Sequence, residues 1–207
     1  MAEPPAIAIF AKAPAAGYAK TRLIPALGPE GAAELAARLI RRIAREAVDA
    51  QLGEVTLWCA PNTAHPLFAE LANGLRLRLE TQQGADIGER MAHAFASTLG
   101  PLILVGADCP LLDAARLRAA AASLAEADLI IDPALDGGYG LIAGRALPGA
   151  LFEGVSWSTS GVMAQTRLRA AASRLRLLEG PLLRDLDTPD DLDWWRKAVP
   201  ALFDGVF

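Results

Sequence analysis

Three groups of residues in this 207-residue chain have types and spacing suited to chemistry. The first is Lys12, Lys20 and Arg22, three cations with no acidic residue among them. They lie in a segment, residues 12–23, whose Pro14, Gly17 and small residues keep it from being a regular helix. The composition suits phosphate binding, although neither the Gly-Lys-Ser/Thr pattern nor the spaced glycines of a dinucleotide loop is present. The competing reading is a solvated loop with scattered lysines.

Asp108 is the second. An apolar run from Pro101 ends there, and Pro110 follows almost at once. This is the pattern of a buried strand bringing one carboxylate to its carboxyl end, where ligands bind in open α/β sheets; the competing role is a helix cap. The third group is Asp185 and Asp187. In the segment after them, Thr188 reads as an N-cap, Pro189 as the first helical residue, and Asp190 and Asp191 as carboxylates at the positive end of the helix dipole. Asp185 and Asp187 precede that cap, and the pair suits a hard cation such as Mg²⁺.

Weaker signals surround these. Asp86 and Glu89 have capping-box spacing, leaving Gln82, Gln83 and Gly88 as groups that could face a base or ribose. Asp136, Gly137, Gly138 and Tyr139 combine a carboxylate, backbone that a ligand can approach closely, and a stacking ring, where a plain hairpin would need only Asp-Gly. The hydroxyl-rich segment 156–161, which contains Trp157, precedes a helix expected over 162–173 and supplies caps or an anion site. Cys109 would need a base to act as a nucleophile, and neither His65 nor His93 can be placed beside it.

The elements that must hold these groups are readable from periodicity. Short apolar runs at 6–11, 54–60, 101–107 and 128–133 predict buried strands, and the strict alternation at 75–80 predicts a half-exposed strand at an edge. Leu35, Leu39, Ile43 and Ala47 recur every fourth residue, predicting an amphipathic helix over 29–51 that packs on the sheet. Further helices are expected over 65–73, closed by Gly74, from Asp86 through Leu99, and over 113–125. Alternating strands and helices predict an α/β fold: a three-layer sandwich with a mostly parallel central sheet and helices on both faces.

Composition bounds the rest. A chain 53% hydrophobic and 21% charged can bury a substantial core as one domain over 1–207. The net charge of -4 argues against a general nucleic-acid binder. Cys59 and Cys109 are far apart and do not form a metal-type pair; with no signal-like start and no membrane-length apolar run, a cytoplasmic protein with reduced thiols is expected. Trp194, Trp195, Phe203 and Phe207 imply packing of the carboxyl-terminal helix and tail on the core, or a homodimer contact.

Together, the 12–23 loop, the Gly106-Ala107-Asp108-Cys109-Pro110 corner and the closing segment 185–192 resemble the nucleotide-diphospho-sugar transferase superfamily, with its Rossmann-like A-type glycosyltransferase fold. The 83–91 segment, Asp136 to Tyr139 and Trp157 to Thr159 resemble a bacterial branch of glycosyltransferases linked to arsenosugar biosynthesis. The resemblance spans essentially the whole chain. It implies that Asp108 and Asp187, with Asp185 in reserve, hold Mg²⁺ (or Mn²⁺), and that Lys12, Gly17, Lys20 and Arg22 bind the phosphates as in molybdenum-cofactor and 2-phospholactate guanylyltransferases. It further implies that Gln83 and Gly88 face the nucleoside, and that Asp136, Gly137, Gly138, Tyr139 and Trp157 line the side for a small-molecule acceptor. Lys12, Lys20, Arg22 and Asp108 would be the catalytic set. The donor would be a nucleoside triphosphate or a nucleotide-sugar, so nucleotidyl and glycosyl transfer both stay open, as does nucleotide binding without turnover. Pro110 stands where the glycosyltransferase Asp-x-Asp corner has its second carboxylate, which resembles the nucleotidyltransferases more.

Overall fold

The computed structural model describes residues 3–203. Among these residues seven strands form one sheet: β1 (Ala6–Lys12), β2 (Val55–Ala60), β3 (Arg78–Thr81), β4 (Pro101–Gly106), β5 (Leu129–Pro133), β6 (Tyr139–Arg145) and β7 (Leu177–Glu179). Their order across the sheet is β3-β2-β1-β4-β6-β5-β7. The pairs β1 with β2, β1 with β4, β2 with β3 and β5 with β7 are parallel. Strand β6 runs antiparallel to both its neighbours, β4 and β5.

The chain goes out from β1 to β3 on one side and returns to β4 on the other. The gap between the carboxyl ends of β1 and β4 is therefore a topological switch point, the usual place for a ligand crevice in such sheets.

Among the described residues there are six α-helices: α1 (Ile24–Asp49), α2 (Pro66–Leu75), α3 (Ile87–Ser97), α4 (Ala114–Ser123), α5 (Val162–Ala172) and α6 (Pro189–Ala198), the first five of which pack on the sheet. Alternation of side chains along each strand divides the core in two. Ile7, Ile9, Leu57, Ile103 and Val105 face α1, α2 and α4, while Ala8, Phe10, Leu102, Leu104 and Ile131 face α3 and α5. The expected three-layer α/β architecture is the one observed.

Several details differ from the sequence expectation. The segment 136–143 is more than a turn, because Tyr139 begins a reversed central strand, and β7, only three residues long, carried no periodic signal. The 75–80 alternation misplaces β3: Leu75 ends α2, Arg76 caps it in the left-handed region at φ 57, and pairing starts at Arg78. Gly74 thus lies inside the helix it was expected to close. Strand β3 does lie at the sheet edge.

The fourfold repeat on α1 winds around the helix, since four residues overshoot a 3.6-residue turn by about 40°. Ile43 and Ala47 pack on the sheet; Leu35 and Leu39 instead join Leu23, Leu186, Leu192, Trp195 and Phe203 in a separate cluster that fastens α6 to α1. Of the expected aromatic tail, Trp195 is fully buried and Trp194 is exposed; Phe207 lies outside the described residues. Within the helix, Gly28 (φ 70) marks a kink, so the regular helix starts at Pro29 as its sequence predicts. Helix α3 is capped by Asp86, whose Oδ1 accepts from the Glu89 amide at 2.8 Å, but Glu89 Oε2 accepts from Ala85 N rather than from the cap residue. The complete capping box is at α6, between Thr188 and Asp191.

Candidate active site

The site is assembled from three distant pieces of chain. Strand β1 ends at Lys12, and its continuation turns through Gly17 (φ 75) to Lys20 and Arg22. Strand β4 ends at Gly106, two residues before Asp108. The segment before α6 brings Asp185 and Asp187, and it is tied to the β4 corner by Leu186 N donating to Asp108 O at 2.9 Å.

Lys20 is the centre of the arrangement. Its Nζ lies 2.6 Å from Asp108 Oδ1 and 3.6 Å from Asp187 Oδ1, and it donates to Leu186 O at 2.6 Å. The side chain is only 5% exposed, whereas that of Asp108 is 58% exposed. The Lys20 backbone adopts φ 48, a left-handed conformation uncommon for a residue with a side chain. Arg22 Nη1 pairs with the other oxygen of Asp187, Oδ2, at 2.8 Å.

Two clefts meet at this cluster. One, of about 200 Å³, is lined by Lys12, Tyr18, Lys20 and Arg22 with Asp108 and Asp187. The Lys12 ammonium sits 3.9 Å above the centre of the Tyr18 ring, a cation–π contact that parks its charge at the cleft wall. The second cleft, of about 180 Å³, shares Arg22, Asp108 and Asp187 and adds Leu135, Asp136, Arg184, Asp185, Thr188 and Asp191. A larger groove of about 570 Å³ lies by the amino ends of the strands, around Ala6, Thr56 and Leu102, away from these charges.

Asp185 is the most perturbed acid of the second cleft. Burial, reinforced by the negative charges of Asp136 and Asp108, pushes its carboxyl up to about 6, against the opposing hydrogen bond from Cys109 and the charge of Lys20. The Cys109 thiol donates to Asp185 Oδ1 at 2.9 Å. Burial above all, with help from Asp185, holds that thiol far above its ordinary pKa, so it is a proton donor here and a poor nucleophile.

Lys12, Lys20, Arg22, Asp108, Asp136, Asp185 and Asp187 are thus brought together around the two clefts. The remaining residues singled out in the sequence sit elsewhere. Gly88 is buried beneath the Trp157 indole, where an added Cβ would lie 2.4 Å from Nε1, and Trp157 meets Tyr139 edge to face. Gly137 is pressed against the Ser160 backbone, and the Gly138 amide closes a turn on Asp136 Oδ1 at 2.8 Å. These residues line neither cleft. Gln83 is exposed on the loop before α3, while Gln82 Nε2 ties the strand ends together by donating to Trp58 O at 2.9 Å. Gly161 occupies the N-cap of α5, and the hydroxyls of the preceding segment serve its turns; Thr159 Oγ1, for example, donates to Ser156 O.

Sequence reasoning passed over Tyr18, Leu135 and Arg184, which line the clefts, and read Thr188 and Asp191 only as helix-start residues although both also line the second cleft. Tyr18 and Arg184 are adjacent in sequence to residues that were selected, and an aromatic ring two residues from a cationic pair was a usable signal.

Asp108 and Asp187 converge on one cation in this structure, and their oxygens are the donors that Mg²⁺ prefers. Among the described residues no group of three or more His, Cys, Asp or Glu side chains is arranged to hold a metal. Mg²⁺ is commonly held by one or two carboxylates together with substrate phosphates and water, a role two carboxylates of this chemistry can fill. No helix among the described residues is long and apolar enough to cross a membrane.

Comparison with known proteins bears on the family and the fold. A family model described as "Uncharacterized protein conserved in bacteria (DUF2064)" matches residues 43–159. Among solved structures, a "putative nucleotide-diphospho-sugar transferase" from Desulfovibrio desulfuricans G20 is 29% identical, with a TM-score of 0.85 over 99% of this chain and 91% of that one. A nucleotidyl transferase from Methanothermobacter thermautotroptrophicus (15% identity, TM-score 0.61, 94% and 97% covered) and the inositol-1-phosphate CTP transferase from T. maritima (13%, 0.59, 100% and 99%) share the fold. No match was found among curated proteins. The chain belongs to the DUF2064 family and has the fold of the nucleotide-diphospho-sugar transferases.

Proposed function

We propose that this family member is a single-domain, metal-dependent transferase acting on a nucleotide-activated substrate, with nucleotidyl transfer from a nucleoside triphosphate to a small acceptor as its reaction. The observation that carries this reading is the convergence of Lys12, Lys20 and Arg22 with Asp108 and Asp187 on one cleft at the sheet's switch point.

Three cations that line one cleft would offset part of the negative charge of a triphosphate, and a divalent ion on the two carboxylates would offset more. Lys12, Lys20 and Arg22 would hold the triphosphate oxygens and stabilise the negative charge that builds up on departing pyrophosphate. Arg22, anchored on Asp187, would keep a fixed donor in that cleft. Asp108 and Asp187 would hold Mg²⁺ (or Mn²⁺), which when bound supplies charge neutralisation at the phosphates. In the second cleft Asp136, Asp185 and Thr188 would orient the acceptor by hydrogen bonds. Gly88, Gly137, Gly138, Tyr139 and Trp157 would act as the packed support behind these clefts, and Gln83 on its exposed loop would meet the nucleoside. Glycosyl transfer from a nucleotide-sugar is the second reading, favoured by the description of the D. desulfuricans neighbour.

Titrating nucleoside triphosphates and nucleotide-sugars with and without Mg²⁺, and following the product, tests the proposal. Metal-dependent pyrophosphate release is the expected result. Release of a nucleoside diphosphate from a nucleotide-sugar moves the assignment to glycosyl transfer, and binding without either product reduces it to a nucleotide-binding protein. If neither donor class binds and Asp108→Ala alters nothing, the reading is wrong.

A further inference from the structure

We infer that Lys20 is an exchangeable counter-ion: its ammonium fills the cation position between Asp108 and Asp187, and it moves to phosphate when a divalent ion takes those carboxylates. The inference rests on the metal and nucleotide reading above and adds a coupling between the two ligands.

Three oxygens surround Lys20 Nζ, from Asp108 at 2.6 Å, Leu186 at 2.6 Å and Asp187 at 3.6 Å. Leu186 O accepts a hydrogen bond from it, and the two carboxylates hold it as ion pairs. The side chain is nearly buried, and the left-handed backbone at φ 48 is the conformation in which this inward position is held. Arg22 takes the second oxygen of Asp187, Oδ2, while Oδ1 faces Lys20.

An ammonium and a divalent cation need the same carboxylate oxygens and repel each other at that separation. The two cannot occupy the position together. Lys20 lines the cationic cleft with Lys12 and Arg22, so phosphate oxygens there offer the displaced ammonium a partner. Lys20 therefore opposes metal binding when no nucleotide is present and favours nucleotide binding once the metal is in place. By linkage, each ligand raises the affinity for the other by the same factor.

Mn²⁺ binding, read by the electron-spin signal of the free ion, tests this without any turnover. Lys20→Met is expected to bind Mn²⁺ about tenfold tighter than the unmodified protein in the absence of nucleotide, within the usual range of site-to-site coupling. Lys20→Arg, which keeps the charge, should stay close to the unmodified protein. A non-hydrolysable nucleoside triphosphate analogue should improve Mn²⁺ affinity less in Lys20→Met than in the unmodified protein. Should Lys20→Met fail to fold, Lys20→Gln carries the same expectation. Equal or weaker Mn²⁺ binding by the neutral variants overturns the proposal, as does Mn²⁺ binding that Asp108→Asn leaves intact or the absence of Mn²⁺ binding throughout. Failure of the unmodified protein to bind the triphosphate analogue overturns the nucleotide reading instead, and the comparison without nucleotide still decides whether Lys20 competes with the ion.

Discussion

The amide of Leu186 donates to the carbonyl of Asp108 across 2.9 Å, joining the turn after β4 to the segment before α6. This backbone bond sets the acidic corners of the site in register with each other. It also places Leu186 O where Lys20 can reach it, so the cationic loop closes on a frame that backbone, rather than side chains, has built.

Asp187→Asn should weaken metal-dependent turnover more than folding. The carboxylate is partly exposed and pairs with Lys20 and Arg22, and exposed ion pairs contribute about 0–1 kcal/mol to stability. Loss of one metal-holding, transition-state-stabilising group should lower kcat by about 10²-fold or more. Urea unfolding and steady-state kinetics on the same preparation check this; a stability loss with unchanged kcat would assign Asp187 a purely structural role.

Lys12→Ala and Arg22→Ala should each raise the dissociation constant for the nucleotide by about tenfold or more, because a hydrogen bond to a charged group is worth about 1.5–3 kcal/mol. Calorimetric titration at two salt concentrations reads the effect. Tyr18→Leu, which removes the ring under the Lys12 ammonium, should show a smaller loss in the same direction. Unchanged affinity in all three variants would place the phosphates elsewhere.

The raised pKa of Asp185 has a defined sign. Its carboxyl titrates near 6 in the folded chain, mainly through burial, and near 3.9 when unfolded. Between those values the folded state holds a proton that the unfolded state has released, so this group's contribution to stability falls as pH rises from about 4 to about 6. The ceiling on that loss is about 3 kcal/mol, lowered where water reaches the carboxyl. Asp185→Asn should remove this dependence, so that the variant gains on the unmodified protein between pH 4 and pH 7 in metal-free urea unfolding. Parallel pH profiles for the two proteins would contradict the assignment.

Gly88→Ala should cost about 1–3 kcal/mol, because the new methyl group would stand 2.4 Å from Trp157 Nε1 and force the indole out. A red-shifted tryptophan emission should accompany the loss. Gly88→Ala in a Trp157→Ala background should be better tolerated, since the clash is then absent. An equal loss in both backgrounds would show that something other than the indole requires glycine at this position.

Local signals made much of the molecule legible before its fold was known. The apolar runs that became β1, β2, β4 and β5, the Thr188-Pro189 start of α6 and the cap at Asp86 depend on periodicity and hydrogen bonds within a few residues, which the order of side chains encodes directly. The cations of residues 12–22 and the carboxylate of Asp108 were legible as charged groups following strands, and the structure places them beyond the carboxyl ends of β1 and β4. What only the tertiary structure decided was pairing. The reversal of β6, the transfer of Leu35 and Leu39 from the sheet to α6, and the packing of Gly88 under Trp157 arise from contacts between distant segments. The same holds for Lys20. The sequence by itself determined that a cationic loop and two acidic corners exist, whereas their meeting on one ammonium depends on sheet order and on the Leu186–Asp108 bond, because electrostatic partners are selected by distance in space and not by separation along the chain.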